Sequence, residues 1–341
     1  MLSYLKNIIF VCLGFSCLAC FGDEVITPYK YLDELPEYSI PANARFSLSR
    51  AVTDDAPEIV YYFSRPGGTT FPIAILCGGS SDLSNIASII HFHRYFLQEC
   101  TDLGLAVITL EQWGVDGNKI DKNEWISHYT RSQRLQDHRE VINELLLNPP
   151  AGWNGNFVFI GVSEGGPIVT ALSAEYSANT LATINWSGAG NWSWREELWV
   201  FLQRLIQVNP ECPHDKKLSD CQTCYELVGV RENYDALMDF IIQNPDSNEY
   251  FLNMTYLYHA DALGFSLPVY DKLKKPFLVV TGELDTIVDS SDQFVKNAEK
   301  KGVPISYHRV PNMDHYVRKR PDVIEASFAW LLEQLKAGGF Q

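Results

Sequence analysis

One serine lies in a short segment whose residue types and spacing could support covalent catalysis. The strand-forming run 157–160 leads into Gly161-Val162-Ser163-Glu164-Gly165, and small residues then begin a helix. A serine on a sharp turn from strand to helix is exposed at the tip of that turn. Glycines on both sides let the strand and the helix approach each other without side-chain collisions. Ser163 is therefore the candidate nucleophile, and an ordinary glycine-rich turn is the alternative interpretation.

A serine hydroxyl becomes an effective nucleophile when a histidine accepts its proton and a carboxylate orients that histidine. Two later segments offer these groups: 282–285 contains Asp285, and 311–315 contains His315. Each follows a predicted strand, and loops at the carboxyl ends of parallel strands converge on one crevice. We therefore expect the two side chains to form a proton relay with the serine, in the chain order Ser, Asp, His.

Other acids and histidines compete for these roles. Glu283 and Asp289 flank Asp285 and are alternative acids. Asp314 is expected to be a surface or helix-entry residue, and His308 falls inside a predicted strand, where packing or an edge position is its simplest explanation. The remaining histidines follow no comparable strand end; they are His91, His93, His128, His138 and His259.

Acyl transfer also needs hydrogen-bond donors for the oxygen that becomes negatively charged in the transition state. The backbone N–H of Glu164, directly after the candidate nucleophile, would be one donor. The loop Cys77-Gly78-Gly79-Ser80 follows a predicted buried strand and should supply the second donor from Gly79 or Ser80. Glycine lets a backbone amide approach a substrate closely, although a simple Gly-Gly turn would have the same sequence.

Strands and helices alternate along most of the chain, which predicts an α/β fold. This alternation is typical of a mostly parallel central sheet with helices on both faces. Strands are expected at 45–50, 58–63, 71–76, 105–110, 157–160, 181–186, 276–281 and 305–310, and helices at 83–103, 132–147, 164–178, 289–301 and 321–335.

The alternation breaks in the middle of the chain. Residues 190–270 contain three segments with helical spacing, 198–208, 224–243 and 250–263, and no good central strand. We therefore predict a helical cap insertion at 190–270 that divides the sheet domain into 23–189 and 271–341.

The first 22 residues read as a secretory signal. Lys6 precedes an apolar run from Ile8 to Cys20 that is too short to span a bilayer and ends in small residues. Cleavage after Ala19 or Gly22 would fit. A lipid on Cys20 is the alternative, which would attach the protein to a membrane. We expect export to a periplasm or to the exterior.

Composition and cysteine content narrow the functional classes. Apolar residues make up 46% of the chain and charged residues 20%, as in soluble globular proteins. A formal net charge of −15 argues against nucleic acid or an anionic membrane surface as a partner. Export permits a disulfide, which we expect between Cys212 and either Cys221 or Cys224. A zinc site that adds His214 to these cysteines is a weaker alternative.

Taken in order, these features resemble the α/β-hydrolase superfamily over about 45–189 and 271–337. Gly-Val-Ser-Glu-Gly-Gly and Gly-Glu-Leu-Asp are similar to motifs of dienelactone-hydrolase-like, prolyl-oligopeptidase-like and acyl-thioesterase-like members. The resemblance implies a hydrolase with Ser163 as nucleophile, His315 as base and then acid, and Asp285 as the residue that orients it. It implies no metal and no cofactor. The insertion resembles the cap that many members place over the substrate pocket.

Three tryptophans follow predicted strand ends and could line an aromatic pocket: Trp113, Trp186 and Trp192. Core packing is an equally good explanation for each. The sequence thus predicts an exported serine hydrolase that cleaves an ester or thioester through an acyl-enzyme. Its substrate would be a small molecule or a peptide. Ester cleavage is preferred because no motif for cationic or terminal-amine recognition is visible. A peptidase of the prolyl-oligopeptidase type and a non-catalytic binding protein with this fold are the alternatives.

Overall fold

The computed structural model describes residues 45–51, 56–208, 229–246 and 248–340. The predicted leader and the predicted disulfide or zinc residues, Cys212, His214, Cys221 and Cys224, lie outside these ranges, so both predictions stay untested. Within the ranges, no helix is both long enough and apolar enough to cross a membrane.

Eight strands form one central sheet in the order β1-β2-β4-β3-β7-β8-β11-β12. The first two pairings, β1 with β2 and β2 with β4, are antiparallel, and all the others are parallel. The predicted mostly parallel sheet is therefore confirmed. The strands of this sheet are β1 (Arg45–Leu48), β2 (Ile59–Ser64), β3 (Phe71–Cys77), β4 (Ala106–Leu110), β7 (Trp153–Val162), β8 (Thr180–Trp186), β11 (Phe277–Gly282) and β12 (Ile305–Val310).

The central strands are apolar along their whole length because both faces of the sheet are covered. Every residue of β3 and of β4 is buried. Successive side chains of β3 point to opposite faces: Ala74 and Leu76 belong to one apolar cluster, whereas Ile73 and Ile75 belong to the other. Continuous apolar runs of this kind are typical of strands in a parallel sheet.

Nine α-helices accompany the sheet in the described residues. Helices α1 and α9 contribute to the apolar cluster on one face, and α3 and α4 contribute to the cluster on the other. Helix α8 packs against β11, next to the edge strand β12. The helices are α1 (Ile90–Asp102), α2 (Lys122–His128), α3 (Arg131–Leu147), α4 (Gly165–Glu175), α5 (Trp194–Val208), α6 (Arg231–Gln243), α7 (Tyr256–Gly264), α8 (Val288–Lys300) and α9 (Pro321–Ala337).

Helices α5, α6 and α7 lie between β8 and β11 and contribute no strand to the central sheet. They share an apolar cluster of their own, in which Leu198 and Leu202 of α5 meet Tyr234, Leu237, Met238 and Ile241 of α6. The division of the chain at 190–270 stays a prediction, but the described part of this segment packs as a helical layer.

Four local features differ from the sequence-based expectation. Helix α1 begins at Ile90 rather than near residue 83, because the side chains of Asp82 and Glu111 accept backbone N–H groups at Ser84 and Ile89 and hold turns there. The expected helix at 250–263 starts instead as a short hairpin of β9 (Tyr250–Phe251) and β10 (Met254–Thr255), ahead of α7. A second hairpin, β5 (Val115–Asp116) with β6 (Lys119–Ile120), and helix α2 were not predicted.

Candidate active site

Ser163 sits on a strained turn between β7 and α4. Its φ is +52°, a left-handed conformation that is rare and costly for a residue with a side chain. The turn is held by hydrogen bonds from the Ser163 N–H to the Trp186 carbonyl at 2.9 Å and from the Gly166 N–H to the Ser163 carbonyl at 2.8 Å. A Cβ atom on Gly165 would collide with the carbonyl of Cys77. Glycine is therefore required where the helix starts.

The structure brings Ser163, His315 and Asp285 together in one line of hydrogen bonds. Nε2 of His315 is 2.9 Å from Oγ of Ser163, and Nδ1 is 3.0 and 3.1 Å from the two carboxylate oxygens of Asp285. An ionised carboxylate can only accept, so Nδ1 carries the imidazole proton and Nε2 is free to accept from the serine hydroxyl. This arrangement can take up the serine proton and stabilise the imidazolium that results.

The relay forms because its members follow strands that run in the same direction. Ser163 follows β7, Asp285 follows β11, and His315 follows β12. Backbone hydrogen bonds also tie the last two loops together, from Glu283 N–H to the Val310 carbonyl and from Leu284 N–H to the Met313 carbonyl, both at 2.9 Å. Loops from neighbouring strand ends thus deliver the acid and the imidazole to the serine.

The competing acids and His308 point elsewhere. The carboxylate of Asp289 is 58% exposed and lies 3.5 Å from the guanidinium of Arg204, and Glu283 is exposed. Asp314 pairs with Lys319 on the surface at 2.7 Å. His308 is an exposed residue of the edge strand β12.

Electrostatics favour the charged form of His315. Burial alone would lower the pKa of this imidazole, but the hydrogen bond and the negative charge of Asp285 outweigh burial and raise the pKa above its ordinary value of 6.5. The Asp285 side chain itself is completely buried. The carboxylate is therefore placed to stabilise a positive charge on the imidazole.

The predicted oxyanion loop lies against the serine. A Cβ atom placed on Gly79 would be 3.3 Å from Cβ and 3.8 Å from Oγ of Ser163. Within the described part of the chain, no acceptor takes the backbone N–H of Gly79, Ser80 or Glu164. These three N–H groups therefore have no intramolecular partner among the described residues, as the predicted oxyanion donors require.

A buried ionic cluster around the carboxylate of Glu164 was missed by the sequence analysis. This carboxylate is hydrogen-bonded to Arg134 and to Tyr258 of α7, accepts from Tyr129 at 3.0 Å, and lies 3.6 Å from Nε of Arg131. Burial would raise the pKa of Glu164, but the two arginines outweigh it and the pKa is lowered. The only sequence signal is the pair of arginines three residues apart at the start of α3, which an exposed helix face would explain equally well.

Two of the three tryptophans proposed for a pocket are core residues instead. Trp186 is fully buried against Phe96 and Phe328, and its indole N–H donates to Ser327 at 3.0 Å. Trp113 is buried next to the Arg50 guanidinium. Trp186 is the last residue of β8 and Trp113 follows β4, but their side chains turn into the protein because burial of large apolar rings is favourable.

Trp192 is half-buried and does line a cavity. This cavity, of about 380 Å³, lies between α3, α4 and the segments on either side of α5 to α7. Trp194, Phe265 and Leu267 contribute apolar walls, and Glu197 of α5 adds a carboxylate that accepts from Ser290 at 3.0 Å. Burial raises the pKa of Glu197. Neither this cavity nor a larger depression of about 690 Å³ beside β5 and β6 has Ser163, Asp285 or His315 in its walls.

Comparisons with solved structures find the same architecture in proteins of low sequence identity. Est1E from Butyrivibrio proteoclasticus, solved with ferulic acid bound, is 18% identical, with a TM-score of 0.54 over 82% of this chain and 96% of its own. The chain has the α/β-hydrolase fold. A structure from a study of carboxylesterases of Nitrososphaera gargenis shares the hydrolase fold at 16% identity and a TM-score of 0.53, covering 86% of this chain and 100% of that one.

The hydrolase fold of this chain is also similar to a peptidase. The acylaminoacyl peptidase of Pyrococcus horikoshii is 15% identical, with a TM-score of 0.54 over 90% of this chain and 43% of the peptidase. A sequence model of the prolyl oligopeptidase family matches residues 230–338, a segment that includes Asp285 and His315. No curated protein sequence matches the chain significantly. The predicted α/β-hydrolase fold is thus confirmed, and the esterase and peptidase neighbours share it.

Proposed function

We propose that this protein is a serine hydrolase that cleaves a carboxylic ester through an acyl-enzyme. One observation carries the proposal: the hydroxyl of Ser163, the imidazole of His315 and the carboxylate of Asp285 lie in hydrogen-bonding sequence at the carboxyl ends of parallel strands. The strained φ of Ser163 adds support, since such strain concentrates at functional sites.

In the first step, Oγ of Ser163 attacks the ester carbonyl carbon while Nε2 of His315 accepts the hydroxyl proton. The carbonyl oxygen becomes an oxyanion. We assign its stabilisation to the N–H of Glu164 and to an N–H from Gly79 or Ser80. The buried Asp285 carboxylate balances the positive charge on the imidazolium.

In the second step, the tetrahedral intermediate collapses, and the imidazolium of His315 gives its proton to the departing alkoxide. The acyl group is then an ester of Ser163. A water molecule attacks this ester while His315 accepts a proton from the water, and the acid product leaves after the proton returns to Ser163. No step needs a group beyond these side chains, the backbone donors and water.

Peptide hydrolysis is the second candidate, and the family match at residues 230–338 favours it. The same relay would serve, with the imidazolium protonating an amine instead of an alkoxide. Ester cleavage stays our first choice because no residues for terminal-amine recognition are visible in the sequence, and a thioester is the nearest alternative bond.

Purified protein offered short-chain p-nitrophenyl esters and aminoacyl-p-nitroanilides would separate these candidates. We expect ester turnover to exceed anilide turnover in kcat/KM. Faster cleavage of anilides would make the protein a peptidase. Turnover of neither class by a folded protein would favour a binding protein that has this fold without catalysis.

We also propose that the protein is exported, on the basis of the sequence of residues 1–22. The mass of the mature chain from the native host should correspond to cleavage after Ala19 or Gly22. A diacylglyceryl mass on an amino-terminal Cys20 would instead identify a lipoprotein, and an intact leader would exclude both.

A further inference from the structure

The guanidinium of Arg134 binds the loop that carries the predicted oxyanion donors. Nη2 donates to the carbonyl of Gly78 at 2.8 Å, and Nη1 lies 3.3 Å from the carbonyl of Gly79. Arg134 is 7% exposed and projects from α3, so its side chain reaches the loop through the interior of the protein. Both loop carbonyls are therefore turned towards the buried arginine.

Because peptide bonds are planar, the contact with Arg134 also fixes the direction of two backbone N–H groups, those of Gly79 and Ser80. In a trans peptide the C=O of one residue and the N–H of the next point in opposite directions, and the described chain has no cis peptide bond. A carbonyl of Gly78 held towards Arg134 directs the N–H of Gly79 away from it. A carbonyl of Gly79 held in the same way directs the N–H of Ser80 away. These are the two amides that have no acceptor and lie on the loop next to Ser163.

The guanidinium of Arg134 also contacts Glu164, the residue whose backbone N–H is the other predicted oxyanion donor. Nη1 of Arg134 is hydrogen-bonded to the carboxylate of Glu164, whose backbone N–H is the first predicted oxyanion donor. Tyr129 and Tyr258 fix this carboxylate further. Tyr129 also accepts from the N–H of Ser81 at 3.0 Å, which adds a second anchor to the loop. One buried side chain thus connects the two separate stretches of backbone that must converge on a single oxygen atom.

We propose that Arg134 is a positioning residue, whose guanidinium aligns the oxyanion donors of Gly79 or Ser80 with that of Glu164; this rests on the proposed acyl transfer. Donor alignment affects the transition state more than the bound substrate, because the carbonyl oxygen moves and gains charge as the bond forms. Losing Arg134 should therefore lower kcat and leave KM nearly unchanged.

Arg134→Lys is the sharpest substitution for this test. Lysine keeps the positive charge beside Glu164, but a single ammonium cannot span two carbonyls and a carboxylate as the planar guanidinium does. Arg309→Lys is the control, because Arg309 lies on the edge strand β12, four strands from β3, and pairs with Asp292 at the surface at 3.0 Å. We expect a roughly 10- to 100-fold loss of kcat for Arg134→Lys, as small misplacements near a reacting centre produce, and no loss for Arg309→Lys.

Inhibitor binding provides the readout that a merely structural role would not change. A trifluoromethyl ketone forms a tetrahedral oxyanion on the serine and needs aligned donors, whereas the acid product binds without them. For Arg134→Lys, affinity for the ketone should fall by the same factor as kcat, and affinity for the acid should be unchanged. Equal loss of affinity for both compounds, or an unchanged kcat in a folded variant, would overturn the proposal.

Two controls keep the result interpretable. If Arg134→Lys does not fold, Arg134→Gln is the second variant, because Glu164 then keeps Arg131 as its cation and the hydrogen bonds from Tyr129 and Tyr258. The same loss of kcat and ketone affinity is then expected, and wild-type values would reject the role of Arg134. A wild-type protein that hydrolyses neither esters nor anilides would refute the proposed function, which is a distinct outcome.

Discussion

The carboxylate of Asp285 is completely buried and contacts Nδ1 of His315 with both oxygens. We predict that Asp285→Asn lowers kcat by roughly 10⁴-fold, because the amide favours the wrong imidazole tautomer and cannot balance the imidazolium charge. Steady-state ester kinetics measure this loss. The matched control is Asp289→Asn, which removes only a partner of Arg204. A large loss in the control and not in Asp285→Asn would move the acid role to Asp289.

The pH dependence of the reaction follows from the same contact. His315 must be neutral to accept a proton, so kcat/KM should fall as the pH drops through the pKa of His315. That pKa is raised above 6.5 because Asp285 outweighs burial. In Asp285→Asn, burial acts without the opposing carboxylate, so the acid limb should move to lower pH. A pH–rate profile from 4 to 9 on both proteins would show the shift. If the acid limb stayed at the same pH in Asp285→Asn, it would not report the titration of His315.

The sequence predicted that Ser163, Asp285 and His315 lie together, because each follows a strand in a characteristic order, and their side chains are hydrogen-bonded to one another. It also predicted that the loop with Gly79 lies beside Ser163, and this placement follows from the order of the strands. Arg134 was missed because hydrophobic periodicity treats a charged residue on a helix as solvent-facing. Its burial depends on Glu164, Tyr129 and Tyr258, which are distant in sequence and meet it only after the sheet has formed.

Helix α3 supplies both buried arginines, and its first turn fixes their position. The Thr130 hydroxyl accepts the N–H of Gln133 at 3.1 Å and so caps the helix. We predict that Thr130→Ala lowers the free energy of unfolding by about 1 kcal/mol and that Thr130→Ser retains most of it. Urea unfolding followed by circular dichroism measures the difference, and equal stability of the two variants would show that the cap contributes nothing.

Helix α5 contacts the acid loop through Arg204, which donates to the carbonyl of Asp285. We predict that Arg204→Ala lowers kcat/KM by about three- to tenfold, the effect of one hydrogen bond worth about 1 kcal/mol. Arg195→Ala is the control, since Arg195 lies on the same helix but pairs with Asp235 and Asp239 within the helical layer. If both variants had equal kcat/KM, the hydrogen bond from Arg204 to the Asp285 carbonyl would make no contribution to catalysis.

Among the elements, the fully buried strands were the easiest to predict, because runs such as β3 and β4 have no polar interruption. The hairpins β5–β6 and β9–β10 were missed since two-residue strands carry no periodic signal. In β9–β10 the turn residues Leu252 and Asn253 both have positive φ, at 50° and 59°, as a tight hairpin turn requires. Leucine at such a position gives no sequence signal, so the segment looked helical.

At the scale of the whole molecule, Trp186 joins the sheet to the helices on one of its faces. Because its side chain is fully buried between Phe96 and Phe328, we predict that Trp186→Ala lowers the free energy of unfolding by about 3–5 kcal/mol. Trp192→Ala, at a half-buried position, should cost less. Denaturant unfolding of the two variants tests this ranking. A larger loss of stability for Trp192→Ala would contradict the burial of Trp186.

The sheet and the helical layer differ in how far their contributions can be predicted from sequence. The parallel sheet fixes where strand ends lie, so the relay was predictable from order and spacing. The cavity of about 380 Å³ that Trp192 lines was not, because its walls come from α3, α4, α8 and the segments around α5 to α7. Side chains from distant parts of the chain define that cavity, and their facing directions depend on how the helical layer packs on the sheet.

The central claim is that one serine is activated by one imidazole, and covalent labelling tests it most directly. A fluorophosphonate should add one equivalent to the protein, and peptide mapping should place the adduct on Ser163. Ser163→Ala should abolish labelling. Ser187→Ala should retain it, because Ser187 has a similar positive φ of 50° at the next strand end but is buried, with no hydrogen-bond partner for its hydroxyl among the described residues. Undiminished labelling of Ser163→Ala would contradict the account.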